Sequence, residues 1–114
     1  MIDPRIKLRH IACFLEVVLL RSVTGAADSL AVSQPAVTKT IQELEDILGA
    51  ALFDRSRRNL TLTQFGDVFH RYAATGMAAL RQGIDAVGDA HKVAVLRIGA
   101  LPTVSARILP GAVQ

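Results

Sequence analysis

The sequence predicts a mainly α-helical fold, in which three short helices are followed by a two-stranded hairpin and one long helix. Two observations predict it. Apolar residues recur at three- and four-residue steps through most of the chain up to about residue 90, and the segment 24–49 carries the start and stop signals of two helices joined by a tight turn. We expect three parts, residues 1–62, 63–91 and 92–114.

The segment 24–49 is predicted to form two closely crossing helices. Thr24 is the expected N-cap of the first helix, and the small pair Ala26-Ala27 allows a second helix to approach. Ser33 is the expected N-cap of the second helix, and Pro35 lies in its first turn, where a missing N–H is tolerated. Gly49 supplies the residue that can adopt a left-handed conformation and end it.

The second of these helices has two faces when its residues are placed at about 100° per residue. Val37, Ile41, Leu44 and Leu48 form one apolar stripe. The outward positions carry hydroxyl, ammonium and amide groups, which can reach phosphates and base edges. These candidate DNA contacts are Ser33, Gln34, Pro35, Thr38, Lys39 and Gln42. The alternative is an ordinary amphipathic helix with a solvated polar face.

Composition limits the classes of function. The chain has 114 residues, of which 51% are hydrophobic and 20% charged, and its net charge of +3 is too small to establish a nucleic-acid partner. The single cysteine, Cys13, excludes an internal disulfide and is expected to be a small buried residue. His10, His70 and His91 lack metal-ligand spacing and are expected at the surface or an interface. No catalytic constellation is visible, so we expect no enzyme, metal or cofactor.

The N-terminus imitates a secretory signal, because Arg5, Lys7 and Arg9 precede the apolar run 11–20. Glu16 in the middle of that run disfavours a signal, and the run is too short to span a bilayer. We therefore expect a folded first helix in a cytoplasmic protein that has no membrane partner. The predicted core-facing stripe of this helix is Leu8, Ile11, Leu15, Val18 and Leu19.

Residues 51–54 and 59–62 are short strand candidates on either side of a cationic turn. Arg55, Arg57 and Arg58 would place guanidinium groups against DNA phosphates or in the minor groove, if the neighbouring helix reads DNA. The alternative is that the arginines serve only solubility.

Thr63 is predicted to cap a long helix that runs to about Ala90. Its apolar stripe is longer than a small domain can cover, so we expect a second copy of the chain to pair with it. The alternative is packing on its own domain. The candidate dimerisation residues are Phe69, Ala73, Gly76, Leu80, Ile84 and Val87.

The character of the sequence changes near its end. Residues 93–99 are predicted to form a strand, and residues 104–109 the start of a helix. One buried-type strand is not a domain, so we expect these residues to begin a second, α/β domain.

Helix-turn-helix and hairpin together resemble the N-terminal winged helix-turn-helix domain of LysR-type transcriptional regulators. The resemblance covers about residues 8–90. The residues that carry it are Ala26-Ala27, Val32 to Lys39, Leu44-Glu45, Leu48-Gly49, Leu52-Phe53, Arg55, Arg58, Leu62-Thr63 and Gly66. Residues 3–10 and 34–49 are also similar to activators of protocatechuate degradation within the family.

The resemblance implies a transcription factor that binds double-stranded DNA. Its second helix would enter the major groove, its wing would touch the minor groove, and its linker helices would pair in a homodimer on an interrupted palindrome. The full-length protein, which can be a tetramer in this family, would respond to a small co-inducer held in an effector domain that begins near residue 92. Thr103 aligns with a residue that often contacts the co-inducer. Lys39 stands where many relatives have arginine, and it cannot form the same bidentate contact with guanine.

Three other classes remain open on the sequence. One is a helical dimerisation module without DNA affinity, the second is a fragment of an enzyme, and the third is a molybdate-type regulator with a similar winged domain. Salt-dependent DNA binding would exclude the first, and an oxyanion-binding domain downstream would favour the third.

Overall fold

A computed structural model describes residues 2–56 and 59–97. The chain divides into two compact units, Met1–Thr75 and Gly76–Gln114. The mainly helical fold with a small hairpin is confirmed. The elements in chain order are α1 (Leu8–Leu20), α2 (Val23–Leu30), α3 (Gln34–Leu48), β1 (Phe53–Asp54), β2 (Thr61–Leu62) and α4 (Gln64–Arg97).

Helix α1 is present, but the prediction of its buried face is wrong. The buried residues are His10, Cys13, Phe14 and Val17, which follow the i, i+3, i+4, i+7 pattern of one helix face. Leu8 and Leu19, which the sequence placed in the core, are 60% and 73% exposed. Apolar residues lie all round this helix, so its periodicity allows two stripes, and the polar His10 disguised the one that is buried.

His10 was expected at the surface and is instead 2% exposed. Both of its ring nitrogens are satisfied: Nδ1 accepts from the Lys7 backbone N–H at 2.9 Å, and Nε2 donates to Glu43 Oε1 at 3.1 Å. A buried imidazole is tolerated because each of its polar atoms has a partner. Its bond to Glu43 joins the first turn of α1 to α3.

Helix α2 begins one residue before the predicted Thr24 cap. Ser22 is the N-cap, and its Oγ accepts from the Gly25 N–H at 2.8 Å. Because Ser22 adopts the extended conformation that an N-cap requires, Thr24 falls inside the helix. Ala26 and Ala27 are buried as expected, and α2 contacts both α1 and α3 closely.

The predicted ends of α3 are confirmed. Ser33 Oγ accepts from the Ala36 N–H at 3.2 Å, Pro35 lies in the first turn, and Gly49 adopts a φ of 73°. Val37, Ile41 and Leu44 are buried, with Leu48 packed at the edge of the core. The apolar stripe therefore fixes which face of α3 points away from the protein.

The core lies between α1, α2, α3 and the base of the hairpin. The Phe14 ring is fully buried and its centroid lies 5.5 Å from that of Phe53 and 5.3 Å from that of Phe69, so it joins α1 to β1 and α4. Cys13 is buried as predicted, and burial raises the pKa of its thiol, which disfavours the nucleophilic thiolate.

Helix α4 begins at its predicted cap: Thr63 Oγ1 accepts from the Gly66 N–H at 3.0 Å. It does not end near Ala90 but continues to Arg97, so the prediction of a strand is wrong for residues 93–97. A strand needs a neighbour for its N–H and C=O groups, and among the described residues none pairs with this segment, whereas a helix bonds them internally. Residues 98–114, including Thr103, lie outside the described residues. No described helix is long and apolar enough to cross a membrane.

Candidate nucleic-acid interface

The outward face of α3 is a row of exposed polar side chains. The first three positions, Ser33, Gln34 and Pro35, are exposed, and so are Thr38, Lys39 and Gln42. Within the described part of the chain, the side chains at 34, 38, 39 and 42 form no hydrogen bond or ion pair. Their donors and acceptors are therefore available to an external ligand, while the opposite face of the same helix is held by the core.

Ser33 differs from these residues because its oxygen is already used. Its Oγ accepts from the Ala36 N–H and completes the cap of α3. A serine hydroxyl can accept and donate at the same time, so its hydrogen remains free for an anionic oxygen such as a phosphate. Ser33 thus combines a structural bond with the predicted contact.

The predicted hairpin is confirmed, with strands of only two residues each. Phe53 pairs with Leu62 and Asp54 with Thr61 in an antiparallel register. Arg57 and Arg58 lie outside the described residues. We define the wing as residues 53–62, the two strands and the turn between them.

The structure brings the wing and the polar face of α3 together. Thr38 and Arg55 line one small cavity of about 70 Å³ between α3 and the wing. An object that lies along the exposed face of α3 therefore also meets the base of the wing. This arrangement suits a ligand that presents a groove and its flanking backbone, such as a DNA duplex.

Arg55 was predicted as a free cation for DNA, and the structure gives it an internal partner. Its Nη2 lies 3.0 Å from Glu45 Oε1, and its Nη1 lies 3.3 Å from Glu45 Oε2. The Arg55 side chain remains 52% exposed, whereas that of Glu45 is only 10% exposed.

Glu45 is the residue near this site whose role sequence reasoning missed. Its Oε2 also accepts from the backbone N–H groups of Leu52 at 2.7 Å and Phe53 at 3.3 Å. The available signal was its position beside Leu44 on the border of the apolar stripe, because an acidic side chain at the edge of a core needs partners.

The candidate dimerisation residues fall into two groups. Phe69 packs against the core of its own unit and Ala73 is buried, so these two already serve the first unit. In the second unit, Leu80, Ile84 and Val87 are 54%, 72% and 70% exposed, and no described atom lies within 4 Å of a Cβ built on Gly76. The exposed group is the part of the predicted stripe that remains open to a partner.

Comparison with known proteins agrees with this geometry. A family model described as the bacterial regulatory helix-turn-helix protein, lysR family, matches residues 8–67. The HTH-type transcriptional regulator PcaQ of Agrobacterium fabrum (strain C58 / ATCC 33970) is 51% identical over 116 residues, which cover 100% of this chain and 37% of that protein. The chain thus spans little more than a third of the length of this relative.

Solved structures with the same fold include two complexes with DNA. A crystal structure of the BenM_DBD/catB site 1 DNA complex has a TM-score of 0.69 and 35% identity, and covers 72% of this chain and 92% of that one. A crystal structure of the CbnR_DBD–DNA complex has a TM-score of 0.68 and 31% identity, and covers 75% of this chain and 99% of that one. From the matched family model, the identity to PcaQ and the shared winged fold, it follows that this chain belongs to the LysR family of bacterial helix-turn-helix regulators.

Proposed function

We propose that this chain reads double-stranded DNA in a sequence-specific manner, with α3 in the major groove and the wing against the minor groove. The observation that carries the proposal is the exposed face of α3, whose polar side chains have no partner within the described residues while the opposite face is fixed in the core. The two structural relatives in complex with DNA support it. Gln34, Thr38, Lys39 and Gln42 would contact bases or nearby phosphates, with Ser33 and Pro35 at the entry to the groove.

The full-length protein, in this proposal, acts as a dimer or a higher oligomer on an interrupted palindrome in the cytoplasm, without catalytic activity. The exposed Leu80, Ile84 and Val87 would pair the linker helices of two copies. Response to a co-inducer would reside in the effector domain expected to begin near residue 92. The identity to PcaQ supports a place near the activators of protocatechuate degradation that residues 3–10 and 34–49 resemble.

Selection from a randomised duplex pool at two salt concentrations tests the proposal. Recovery of an interrupted palindrome, with affinity that falls steeply as salt rises, is the expected result. Salt-sensitive binding without an enriched motif would contradict sequence-specific reading. No binding at either salt would favour the helical dimerisation module, which the DNA complexes of the relatives disfavour.

Substitution of Gln34 or Lys39 by alanine is expected to relax the preference at particular base positions. A well-formed contact to a base edge contributes about 1–3 kcal/mol of discrimination, so each variant should lose roughly that much on the selected site and far less on sites changed at the contacted base. Competition titrations against single-base variants of the site measure this. The exposed Gln64 at the start of α4 provides the control Gln64→Ala. Equal loss on every sequence would exclude a reading role.

Ile84→Gln is expected to weaken the dimer. Ile84 is 72% exposed in the protomer, so the change should leave the protomer folded. If a second copy buries it, each protomer loses about 1.5–3 kcal/mol, and the loss occurs twice in a symmetric dimer. Sedimentation equilibrium of the variant, beside Gln82→Ala on the opposite side of the same helix, measures the change. An unchanged dimer constant would place the interface elsewhere.

A further inference from the structure

We propose that Glu45 and Arg55 are positioning residues that set the wing against α3, and that Arg55 affects DNA binding through Glu45 and not by touching DNA. The inference rests on the proposed DNA-reading function. It changes the part assigned to Arg55, which the family resemblance placed among the DNA contacts.

Glu45 connects the end of α3 to the start of the wing through both of its polar groups. Its backbone carbonyl accepts from the N–H groups of Gly49 at 2.8 Å and Ala50 at 3.2 Å, where α3 ends. Its carboxylate then accepts from the N–H groups of Leu52 and Phe53, at the first strand. One residue thus fixes both ends of the connection between helix and wing.

Arg55 neutralises this carboxylate from the other side. A carboxylate that is 10% exposed loses most of its hydration and requires donors and a counter-charge in return. The guanidinium binds both carboxylate oxygens, in the bidentate arrangement that fixes orientation as well as distance. Because Arg55 follows β1 directly, this ion pair holds the point where the turn of the wing begins.

The wing needs such an anchor because it is too short to hold itself. A hairpin whose strands pair over two residues each is at most marginally stable alone. The second strand has its own anchor, since the Thr63 N–H donates to Leu52 O at 3.0 Å and Thr63 Oγ1 donates to Ala51 O at 2.6 Å. Glu45 supplies the anchor on the first strand.

The charge of Glu45 makes the proposal sharp. Glu45→Gln removes a negative charge beside the candidate interface, so electrostatics alone would strengthen binding to the polyanion. A positioning role requires the opposite, because the glutamine no longer holds Arg55 or orders the wing. We expect Glu45→Gln to weaken binding to the selected duplex about tenfold.

A double-mutant cycle of Glu45→Gln and Arg55→Gln gives the decisive comparison. Binding of each variant to the selected duplex is titrated over a range of salt. If both residues act through their pair, each single variant loses about tenfold, the double variant loses no more than either, and the salt slope stays that of the unmodified chain. If Arg55 contacts a phosphate, Arg55→Gln lowers the slope by about 0.9 and loses affinity equally in both backgrounds, which would overturn the proposal.

Two further variants complete the cycle. Arg55→Lys keeps the charge but not the fork, and we expect it to recover part of the affinity only where Glu45 is present; equal recovery beside Gln at 45 would overturn the proposal. The exposed pair Asp67 and Arg71, 3.6 Å apart on α4, is the matched control. Asp67→Asn and Arg71→Gln should leave affinity and salt slope unchanged.

A measurement without DNA separates this inference from the proposed function. Amide hydrogen exchange at Leu52 and Phe53 should be at least about tenfold faster in Glu45→Gln, because both amides lose a charged acceptor. Unchanged exchange would overturn the positioning role even where DNA binding is normal. Faster exchange in a chain that binds no DNA would leave the anchor in place and refute only the proposed function.

Discussion

Phe14→Ala is expected to lower the free energy of unfolding by about 3–5 kcal/mol, the range for loss of a fully buried phenylalanine. The ring has 0% exposure and lies against Phe53, Phe69 and, at 6.3 Å between centroids, His70. Its removal leaves a cavity at the point where α1, the wing and α4 meet. Since domains are stable by only about 5–15 kcal/mol, chemical denaturation should show a large fall in the midpoint.

Leu19→Ala is the matched control for this prediction. Leu19 lies on the same helix, belonged to the stripe that the sequence predicted as buried, and is 73% exposed. We expect a change within about 0.5 kcal/mol, as for most surface substitutions. A loss at Leu19 comparable to that at Phe14 would mean that the other stripe of α1 faces the core.

Gly66→Ala is expected to destabilise the first unit by about 3 kcal/mol, the upper end of the usual range for an overpacked site. A Cβ on Gly66 would overlap the carbonyl oxygen of Leu52 and lie 2.9 Å from both the carbonyl carbon of Leu52 and Cδ2 of Leu62. The nearest obstacle is backbone, which cannot turn aside as the end of a flexible side chain can. Thermal and chemical denaturation, followed by circular dichroism, measure the loss.

Gly88→Ala provides the same chemical change on the same helix without the obstacle. No described atom lies within 4 Å of a Cβ built at Gly88, so helix propensity alone predicts a gain of up to about 1 kcal/mol. Opposite signs for the two variants are the expected outcome. A gain at Gly66 as well would mean that α4 does not approach Leu52 closely.

The parts of the fold that the sequence predicted correctly are those with local causes. Ser33, Thr63 and Gly49 act through hydrogen bonds or backbone conformation within a few residues of their own positions, and each was placed correctly. The apolar stripe of α3 was also clear, because its outer face is polar and leaves one possible orientation. These local rules define the helix on which the candidate site lies.

The parts that sequence reasoning missed depend on contacts between distant residues. His10 is buried because Glu43, 33 residues away, accepts its proton-bearing nitrogen, and no local pattern shows this. The Arg55 and Glu45 pair is separated by 10 residues and turned a predicted DNA contact into an internal ion pair. Residues 93–97 were assigned to a strand on composition alone, although a strand also requires neighbours.

The absence of internal partners on the outer face of α3, within the described part of the chain, has a consequence for how such proteins diversify. Side chains at 34, 38, 39 and 42 can be exchanged without breaking a hydrogen bond or opening a cavity, so a change there has little effect on folding. Mutation can therefore alter which operator is recognised while the scaffold stays intact. One stable framework can in this way give rise to paralogues that control different genes.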